Sequence, residues 1–351
     1  MRKKEVNIEK SALLSIVVPC YNSGAFLEKA LSMLVSQGLD NVEIIVVNDG
    51  STDNTKEIAD SFAKKYSQFK VLTHCENGIL LSGESNQTLG VVRNRGLSIA
   101  RNTGLHSAKG TSVYFFDSDD TLTDNTLNFF RKTILDNQNI DGFVFGYEAV
   151  IDGLKTKTYT SKNLKDLGLQ YNIFDKYLSK RVQCNICSVI FSVSYLQSRN
   201  ITFFNERTTG EDISFLVSAF AFAKSIYYSN RICFRYLIRS NSIMQGYKKY
   251  GIFHTTGVLA VKKTIEKLIS QKSDYEEKLN FFMAIYYVYN LKSYLTTQLP
   301  EKEINKPVNN VFIENKYLLR KKMTGKFSFK CIIFIVKIFP LELMFKIFGK
   351  I

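Results

Sequence analysis

Three carboxylates occupy four consecutive positions, Asp117-Ser-Asp-Asp120, directly after the apolar run from Thr111 to Phe116. Negative charges this close repel one another unless a positive charge neutralises them, and carboxylate oxygens are ligands that Mg²⁺ and Mn²⁺ prefer. These cations keep other coordination positions for water and phosphate, so the pattern predicts a site for a metal-bound diphosphate. A solvated acidic turn that caps a helix starting near Thr123 is the alternative.

Short β-rich runs alternate with helical patterns in the sequence around this loop. Apolar residues recur with helical periodicity after Ser23 and again after Asp53. The predicted strands are Leu13–Val18, Val42–Asn48, Phe69–Thr73 and Thr111–Phe116. This alternation predicts βαβ units and an α/β fold with a mostly parallel, doubly wound sheet.

Polar loops follow the predicted strands at what would be one edge of the sheet. Ligands of doubly wound sheets bind beyond the carboxyl ends of the strands. The loops Pro19–Asn22, Asp49–Asp53 and Asp117–Asp120 are therefore expected to converge on one site. Pro19 is expected to end the first strand.

Four motifs in this order resemble the nucleotide-sugar half of the inverting family-2 glycosyltransferases with a GT-A fold. The motifs are Pro19-Cys-Tyr-Asn22, Val46-Val-Asn-Asp-Gly-Ser-Thr-Asp53, Gly96-Leu-Ser-Ile-Ala-Arg-Asn102 and Phe115-Phe-Asp-Ser-Asp-Asp120. The resemblance implies a Rossmann-like sheet flanked by helices. The implied domains are a leader at 1–12, a nucleotide-sugar-binding subdomain at 13–125, an acceptor-binding subdomain at 126–245 and a helical C-terminal region at 246–351.

The resemblance implies a donor site whose residues suit a nucleotide. Tyr21 offers a flat apolar wall for a base, and Asp49 offers an acceptor for a uracil N–H, so a UDP-sugar is favoured. Taken alone, Tyr21 fits a core aromatic and Asp49 a turn residue equally well. The donor-binding residues expected on this basis are Pro19, Tyr21, Asn22, Asp49, Gly96, Arg101, Asp117, Arg239 and Ser242.

The same resemblance implies that the acidic loop binds Mg²⁺ or Mn²⁺. Asp119 is expected to be the principal metal ligand, with Asp117 beside it, while Asp120 orients the loop. Arg101 would reach the donor or hold this loop; a surface arginine is the alternative.

An inverting sugar transfer also needs a general base that deprotonates the acceptor hydroxyl. Asp212 lies in Gly210-Glu-Asp-Ile-Ser-Phe215, which matches the family's Glu-Asp motif at the start of a helix, where negative charge is stabilised. Glu211 is expected to contact the acceptor. Two carboxylates that only cap the helix are the alternative. None of the histidines, His74, His106 and His254, lies in a recognisable triad.

Two features depart from the resemblance or stand outside it. Residues 79–95 interrupt a stretch that the family runs through almost directly, and they form either a lid over the donor or a surface insertion. The six cysteines are scattered and are expected to be reduced in a cytoplasm. Cys184-Asn-Ile-Cys187 has no second pair at zinc-ribbon spacing, so a wall of the acceptor domain is favoured over a zinc site.

The C-terminal tail concentrates positive charge. The formal net charge is +15, and residues 301–351 contain 11 Lys or Arg against 4 Asp or Glu. Lysines at 326, 330 and 337 share one helical face opposite Phe and Ile, a basic amphipathic pattern typical of binding to an anionic membrane surface. The expected location is cytoplasmic and peripheral, on the inner face of the cell membrane. Burial against the preceding helices or in a homodimer is the alternative.

Together these features predict a metal-dependent glycosyltransferase of hexosyltransferase type. The expected acceptor is a glycan or lipid-linked glycan in the synthesis of bacterial capsule, exopolysaccharide or lipopolysaccharide. The other classes considered are a nucleotide-sugar-binding protein without transfer activity and a basic nucleic-acid-binding protein. The sequence has no recognisable nucleic-acid module, so no nucleic-acid partner is expected.

Overall fold

The computed structural model describes residues 12–75, 78–81, 96–151, 154–161, 167–238, 252–296 and 306–323. Eleven strands within these residues form one mixed sheet, against which helices pack. The strands are β1 (Leu14–Cys20), β2 (Val42–Asn48), β3 (Phe69–Cys75), β4 (Gly78–Leu81), β5 (Ser112–Phe115), β6 (Thr121–Leu122), β7 (Gly142–Ile151), β8 (Leu154–Tyr159), β9 (Gly168–Gln170), β10 (Val189–Ser192) and β11 (Ile226–Ile238).

The helices lie between these strands and after them. They are α1 (Gly24–Ser36), α2 (Thr55–Lys65), α3 (Leu97–Ser107), α4 (Thr126–Asp136), α5 (Ile173–Leu178), α6 (Val193–Ser198), α7 (Glu211–Phe222), α8 (Ile252–Gln271), α9 (Glu276–Thr296) and α10 (Lys306–Asn315). None of the helices in the described ranges is both long enough and apolar enough to cross a membrane.

The strand order is β4-β3-β2-β1-β5-β10-β7-β11-β6, with β8 paired to β7 and β9 to β11. Strands β3, β2, β1 and β5, which are adjacent in this order, run parallel to one another. β4 is antiparallel to β3, and β10 is antiparallel to both β5 and β7. The α/β fold class is therefore confirmed, and the parallel part of the sheet is the part formed by the four predicted strands.

The parallel strands are apolar because both of their faces are covered. All seven residues of β1 are buried, and β2 is buried except at Glu43. Continuous apolar runs of this kind are typical of parallel strands between two layers of helices. This burial explains why the sequence pattern located these strands correctly.

Strand β1 continues through Pro19 to Cys20, whereas the sequence analysis expected Pro19 to end it. The register between β1 and β5 ends at Val17 and Phe115. Pro19 therefore lies beyond the last residue that β5 pairs, where a missing N–H interrupts no ladder.

Helix α3 approaches β1 closely at Gly104. A Cβ atom on this glycine would lie 2.2 Å from Cγ1 of Val17, so a larger residue would push the helix away from the strand. Arg101 and Thr103 lie on the same helix. Because this glycine sets the distance between α3 and β1, it also sets where the side chains of Arg101 and Thr103 lie relative to the ends of the strands.

The chain divides into two compact units, and both are discontinuous in sequence. The first unit is made of Met1–Gln170, Cys184–Glu206 and Lys224–Leu237, and the second is made of Tyr171–Gln183, Arg207–Ala223 and Ile238–Ile351. The parallel strands and the acidic loop belong to the first unit, and α7 to α10 belong to the second. The predicted division in chain order at residues 125 and 245 stays a prediction.

Several predicted features fall wholly or partly outside the described residues. The insertion at 79–95 begins as β4, which pairs with β3 from Gly78 to Leu81, and residues 82–95 lie outside the description. Arg239, Ser242 and the tail after residue 323 also lie outside it.

Candidate active site

The loops that follow β1, β2 and β5 meet at one edge of the sheet, as the sequence predicts. The Asn22 side chain accepts a hydrogen bond from Thr52 N at 2.8 Å. Ser23 N donates to Thr55 Oγ1 at 2.8 Å, and the Ser23 hydroxyl accepts from Ser118 Oγ at 3.0 Å. Three segments distant in sequence are therefore joined directly by hydrogen bonds.

Asp53 strengthens the junction between the first two loops. It accepts hydrogen bonds from Gly24 N at 2.9 Å and from the Thr55 hydroxyl at 2.5 Å. Partial burial acts to raise the pKa of Asp53, but these hydrogen bonds outweigh it and lower the pKa below its ordinary value. The ionised carboxylate is thus the form that holds the two loops together.

Asp49, the residue expected to accept a hydrogen bond from a nucleobase, lies in a buried hydrogen-bond network. One carboxylate oxygen lies 2.7 Å from Nδ1 of His74, and the other accepts from Gly96 N at 2.8 Å. The opposite ring nitrogen of His74 lies 2.9 Å from Thr103 Oγ1. Asp49 is 3% exposed and His74 is 0% exposed. The network joins the ends of β2 and β3 to helix α3.

His74 is a residue whose role the sequence analysis missed. A carboxylate only accepts hydrogen bonds, so Nδ1 of His74 is the donor to an ionised Asp49, and Nε2 faces the Thr103 hydroxyl, which can donate or accept. One signal was present in the sequence, because His74 follows the predicted strand Phe69–Thr73. The rule that places the ends of parallel strands at one edge of a sheet would have put it beside Asp49.

Arg101 neutralises part of the acidic loop. Its Nη2 atom lies 2.9 Å from Oδ1 of Asp117, and the arginine is 1% exposed. The guanidinium also lies 5.4 Å from the centre of the Phe203 ring. The surface alternative for Arg101 is therefore wrong, since the residue is buried and pairs with the acidic loop, while its contact with the donor stays a prediction.

Asp117 and Asp120 approach each other inside this loop. Together with the Cys187 thiol, their potential ligand atoms lie within 4.8 Å of one another. Asp120 is buried and accepts a hydrogen bond from Leu237 N at 3.0 Å, which fits a residue that orients the loop. Asp119 is half-buried.

The chemistry of these donors fits a hard divalent cation. Burial, followed by the charges of Asp117 and Asp120, raises the pKa of Cys187 well above its usual value, and a thiol is a softer ligand than the oxygen atoms that Mg²⁺ and Mn²⁺ prefer. The ligands left are carboxylate oxygens. The formal charges of the three aspartates and Arg101 leave two negative charges in this loop, which a divalent cation would balance.

Glu211 and Asp212 begin helix α7, in the second unit. Gly210 precedes them with φ +68°, a left-handed conformation that glycine adopts without strain. Asp212 Oδ1 accepts from Ile213 N at 2.8 Å, and both carboxylates are partly exposed. The expected position of Asp212 at a helix start is therefore confirmed, while its role as base stays a prediction.

The predicted site residues thus fall into three groups. Asp49 and Gly96 are joined by a hydrogen bond, and Arg101 and Asp117 by an ion pair, all within the first unit. Glu211 and Asp212 belong to the second unit. The donor residues Pro19 and Tyr21 lie in or directly after β1, within the first unit.

Replacing His74 by Ala should lower the free energy of unfolding by about 2 kcal/mol, because the buried Asp49 carboxylate would lose a hydrogen-bond donor. His74→Gln, which keeps a donor, should recover part of this loss. Urea denaturation measures the change.

His106 is the matched control for this prediction. Its ring also makes a hydrogen bond, at 2.7 Å to the Asn102 carbonyl, but the residue is exposed. His106→Ala should cost less than about 0.5 kcal/mol. Equal losses in the two alanine variants would contradict the assigned importance of His74.

Comparison with known proteins identifies the family. The model for glycosyl transferase family 2 matches residues 15–87 and 91–224, which is more than half of the chain. The EpsH protein of Bacillus subtilis, named as a glycosyltransferase, is 27% identical over 278 residues, which cover 78% of this chain and 74% of EpsH. A GalNAc(5)-diNAcBac-PP-undecaprenol beta-1,3-glucosyltransferase of Campylobacter jejuni is 27% identical over 293 residues, covering 80% and 84%.

A solved structure supports the fold independently. TarS of S. aureus, in complex with UDP-GlcNAc, superposes with a TM-score of 0.66 at 19% sequence identity, covering 88% of this chain and 84% of that one. At this level of identity the match shows a shared fold, the GT-A fold that the motifs predicted. Because the family model matches most of the chain, including the acidic loop and the whole of α7, the chain belongs to glycosyl transferase family 2.

Proposed function

We propose that this glycosyltransferase moves a hexose from a nucleoside diphosphate donor to a hydroxyl of a glycan acceptor, with inversion at the anomeric carbon. The observation that carries the proposal is the placement of helix α3. Its start binds Asp49, Thr103 meets His74, and Arg101 pairs with Asp117. One helix thus supports both Asp49, which is suited to bind a nucleobase, and the residues Arg101 and Asp117, which are suited to the diphosphate end of the donor.

The donor is proposed to be a UDP-sugar. Asp49 lies directly after β2, in the loop that the resemblance assigns to the nucleobase, and its carboxylate oxygens are the type of acceptor that a uracil N–H needs. Tyr21 directly follows β1 and is half-buried, and its ring is proposed as the apolar wall of the nucleobase site. The TarS structure contains UDP-GlcNAc, which supports this nucleotide without identifying the sugar.

The remaining donor residues are proposed from the motifs. Pro19 and Asn22 shape the first loop, and Gly96 brings backbone close to the nucleotide. Arg101 and Asp117 lie at the diphosphate end. Arg239 and Ser242 follow β11 and are proposed to bind the diphosphate through a guanidinium and a hydroxyl.

The proposed metal is Mg²⁺ or Mn²⁺, held by Asp119 and Asp117. When bound there, such a cation supplies positive charge that stabilises the departing diphosphate. Asp120 keeps the loop in place through Leu237, and Arg101 fixes the orientation of Asp117. The chain's own residues therefore position the ligands before the donor arrives.

Asp212 is the proposed general base, which takes the proton from the acceptor hydroxyl. The first turn of α7 exposes backbone N–H groups and the positive end of the helix dipole, and both favour an ionised carboxylate. Glu211 is proposed to contact the acceptor.

The acceptor is proposed to be lipid-linked and presented at an anionic membrane surface, in bacterial surface-polysaccharide synthesis. The undecaprenol-linked substrate in the name of the Campylobacter jejuni relative supports this proposal. The basic amphipathic pattern after residue 323 supports it from the sequence.

Asp119→Ala should abolish transfer and the metal-dependent part of donor binding while the protein stays folded, because β5 and its buried neighbours supply the packing. Thermal shift with UDP, with and without Mn²⁺, measures binding, and UDP release from a panel of UDP-sugars measures turnover. Asp124→Ala is the matched control, since Asp124 is an exposed aspartate in the next connection, between β6 and α4. A Mn²⁺-dependent shift in Asp119→Ala as large as in the wild type would remove Asp119 from the metal site.

Asp212→Asn should lower kcat by about 10²-fold or more and leave donor binding near the wild-type value, because general-base catalysis typically contributes that factor. Glu211→Gln, on the same helical turn, should instead raise KM for the acceptor. Steady-state kinetics with a soluble glycoside acceptor separates these effects. Loss of donor affinity with unchanged kcat in Asp212→Asn would show that the assigned role is wrong.

Deleting residues 324–351 should release the protein from vesicles that contain phosphatidylglycerol, and added salt should weaken binding of the full chain. The deletion begins after residue 323 because Leu318 and Leu319 are buried and Lys322 pairs with Glu277 at 2.6 Å. Sedimentation with vesicles measures binding. Unchanged binding would contradict the membrane proposal, and aggregation would favour a tail that packs against the protein.

A further inference from the structure

The segment that leads into α7 is held by the first turn of α8. Thr209 N donates to Thr256 Oγ1 at 3.2 Å, and the Thr209 hydroxyl donates to the His254 carbonyl at 3.2 Å. The Arg207 guanidinium lies 5.4 Å from the centre of the Phe253 ring. Residues well beyond the family match at 224 therefore position the start of the helix that carries Asp212.

Tyr286, on α9, places its hydroxyl between two glycines of this region. A Cβ atom on Gly210 would lie 2.5 Å from the hydroxyl oxygen, and one on Gly257 would lie 3.0 Å from it. Gly257 lies inside α8, where alanine is the better helix former. The two glycines leave space that the Tyr286 hydroxyl fills, directly against the residue before Glu211 and Asp212.

The Tyr286 hydroxyl and Asp212 also interact electrostatically. Burial is the main cause that raises the pKa of Tyr286, and the negative charge of Asp212 is the next; a hydrogen bond with Asn290 opposes them, and Glu211 adds a smaller rise. The hydroxyl therefore stays protonated at neutral pH and keeps a proton to donate.

We propose that Tyr286 is a positioning residue for Asp212: its hydroxyl, lodged between Gly210 and Gly257, fixes the start of α7, where backbone N–H groups favour the ionised carboxylate. This inference rests on the proposed role of Asp212 as general base. It adds a residue from the C-terminal helices to the machinery of transfer, in a part of the chain that lies outside the family match.

Other titratable groups face the start of α7 and enter the expected pH dependence. Glu211 lies on the same helix, Arg207 precedes it and His254 lies on α8. Helix α5 meets α7 farther along, where the Tyr177 ring lies 5.0 Å from that of Phe220, more than two helical turns from Asp212.

The test is the pH profile of transfer by the full chain, measured as UDP release from the UDP-sugar that the wild type uses best, with a soluble glycoside acceptor. Tyr286→Phe keeps the ring and removes the hydroxyl. Because the start of α7 loses the hydroxyl that fixes it, Asp212 should be held less firmly at the helix N-terminus, which favours its ionised form, and the acid limb of kcat should move upward by about half a unit to one unit. Below this limb kcat should fall about 3- to 10-fold, and above it kcat should stay within about twofold of the wild type, with donor KM unchanged.

Tyr287→Phe is the matched control. Tyr287 is the next residue on α9, and its buried hydroxyl donates to the Phe312 carbonyl at 2.6 Å. Its loss should lower the melting temperature but leave the acid limb in place. Gly257→Ala is the second variant and retains Tyr286. Its Cβ would press on the Tyr286 hydroxyl and lie 2.5 Å from Thr209 Oγ1, so it should move the limb in the same direction even if Tyr286→Phe folds poorly.

The outcomes separate the inference from the function on which it rests. An inactive Asp212→Asn together with unshifted profiles in Tyr286→Phe and Gly257→Ala would overturn the role of Tyr286 and leave Asp212 as the base. Asp212→Asn with a kcat close to the wild type would remove the base and overturn the inference with it. A limb that moves equally in Tyr287→Phe would show a general effect of destabilising α9, and this too would overturn the inference.

Discussion

The ion pair between Arg101 and Asp117 joins helix α3 to the loop after β5, and the rest of the first unit's site depends on where this helix lies. Arg101 is almost fully buried, and an unpaired buried charge would cost several kcal/mol. The pair therefore constrains both partners. The same helix supplies the Thr103 hydroxyl to His74, and the Gly96 amide directly before it binds Asp49. A shift of α3 would disturb both ends of the proposed donor site together.

Close backbone approach makes this arrangement possible. Gly104 lets α3 lie against Val17 of β1, at a separation that no side chain at position 104 would allow. Gly210 and Gly257 do the same in the second unit, where they leave space for the Tyr286 hydroxyl. In each place the absence of a Cβ atom sets the position of a polar side chain that the proposed chemistry uses.

Each unit of the molecule stabilises its own carboxylates by different means. In the first unit, buried side chains and backbone amides bind Asp49, Asp117 and one carboxylate oxygen of Asp120. In the second, Asp212 lies at a helix start and accepts a hydrogen bond from Ile213 N. Both means hold charge in place before a substrate arrives, so little reorganisation is needed during transfer.

The sequence by itself determined the α/β class, the four parallel strands and the family. Strands covered on both faces must be apolar, so β1, β2, β3 and β5 were visible as continuous runs. The acidic loop and the Glu-Asp pair were visible because adjacent residues stay adjacent in any fold. The antiparallel strands β7 and β10 were not located, since their pairing depends on partners far along the chain.

Only the tertiary structure decided which side chains meet across the sheet and between helices. His74 lies 25 residues from Asp49 in sequence, and Cys187 lies beside Asp117 and Asp120 although the chain between them forms several elements. Tyr286, on α9, lies two helices after Asp212, on α7. These contacts depend on strand register, helix depth and the space left by glycines, and no local pattern of residues encodes those distances.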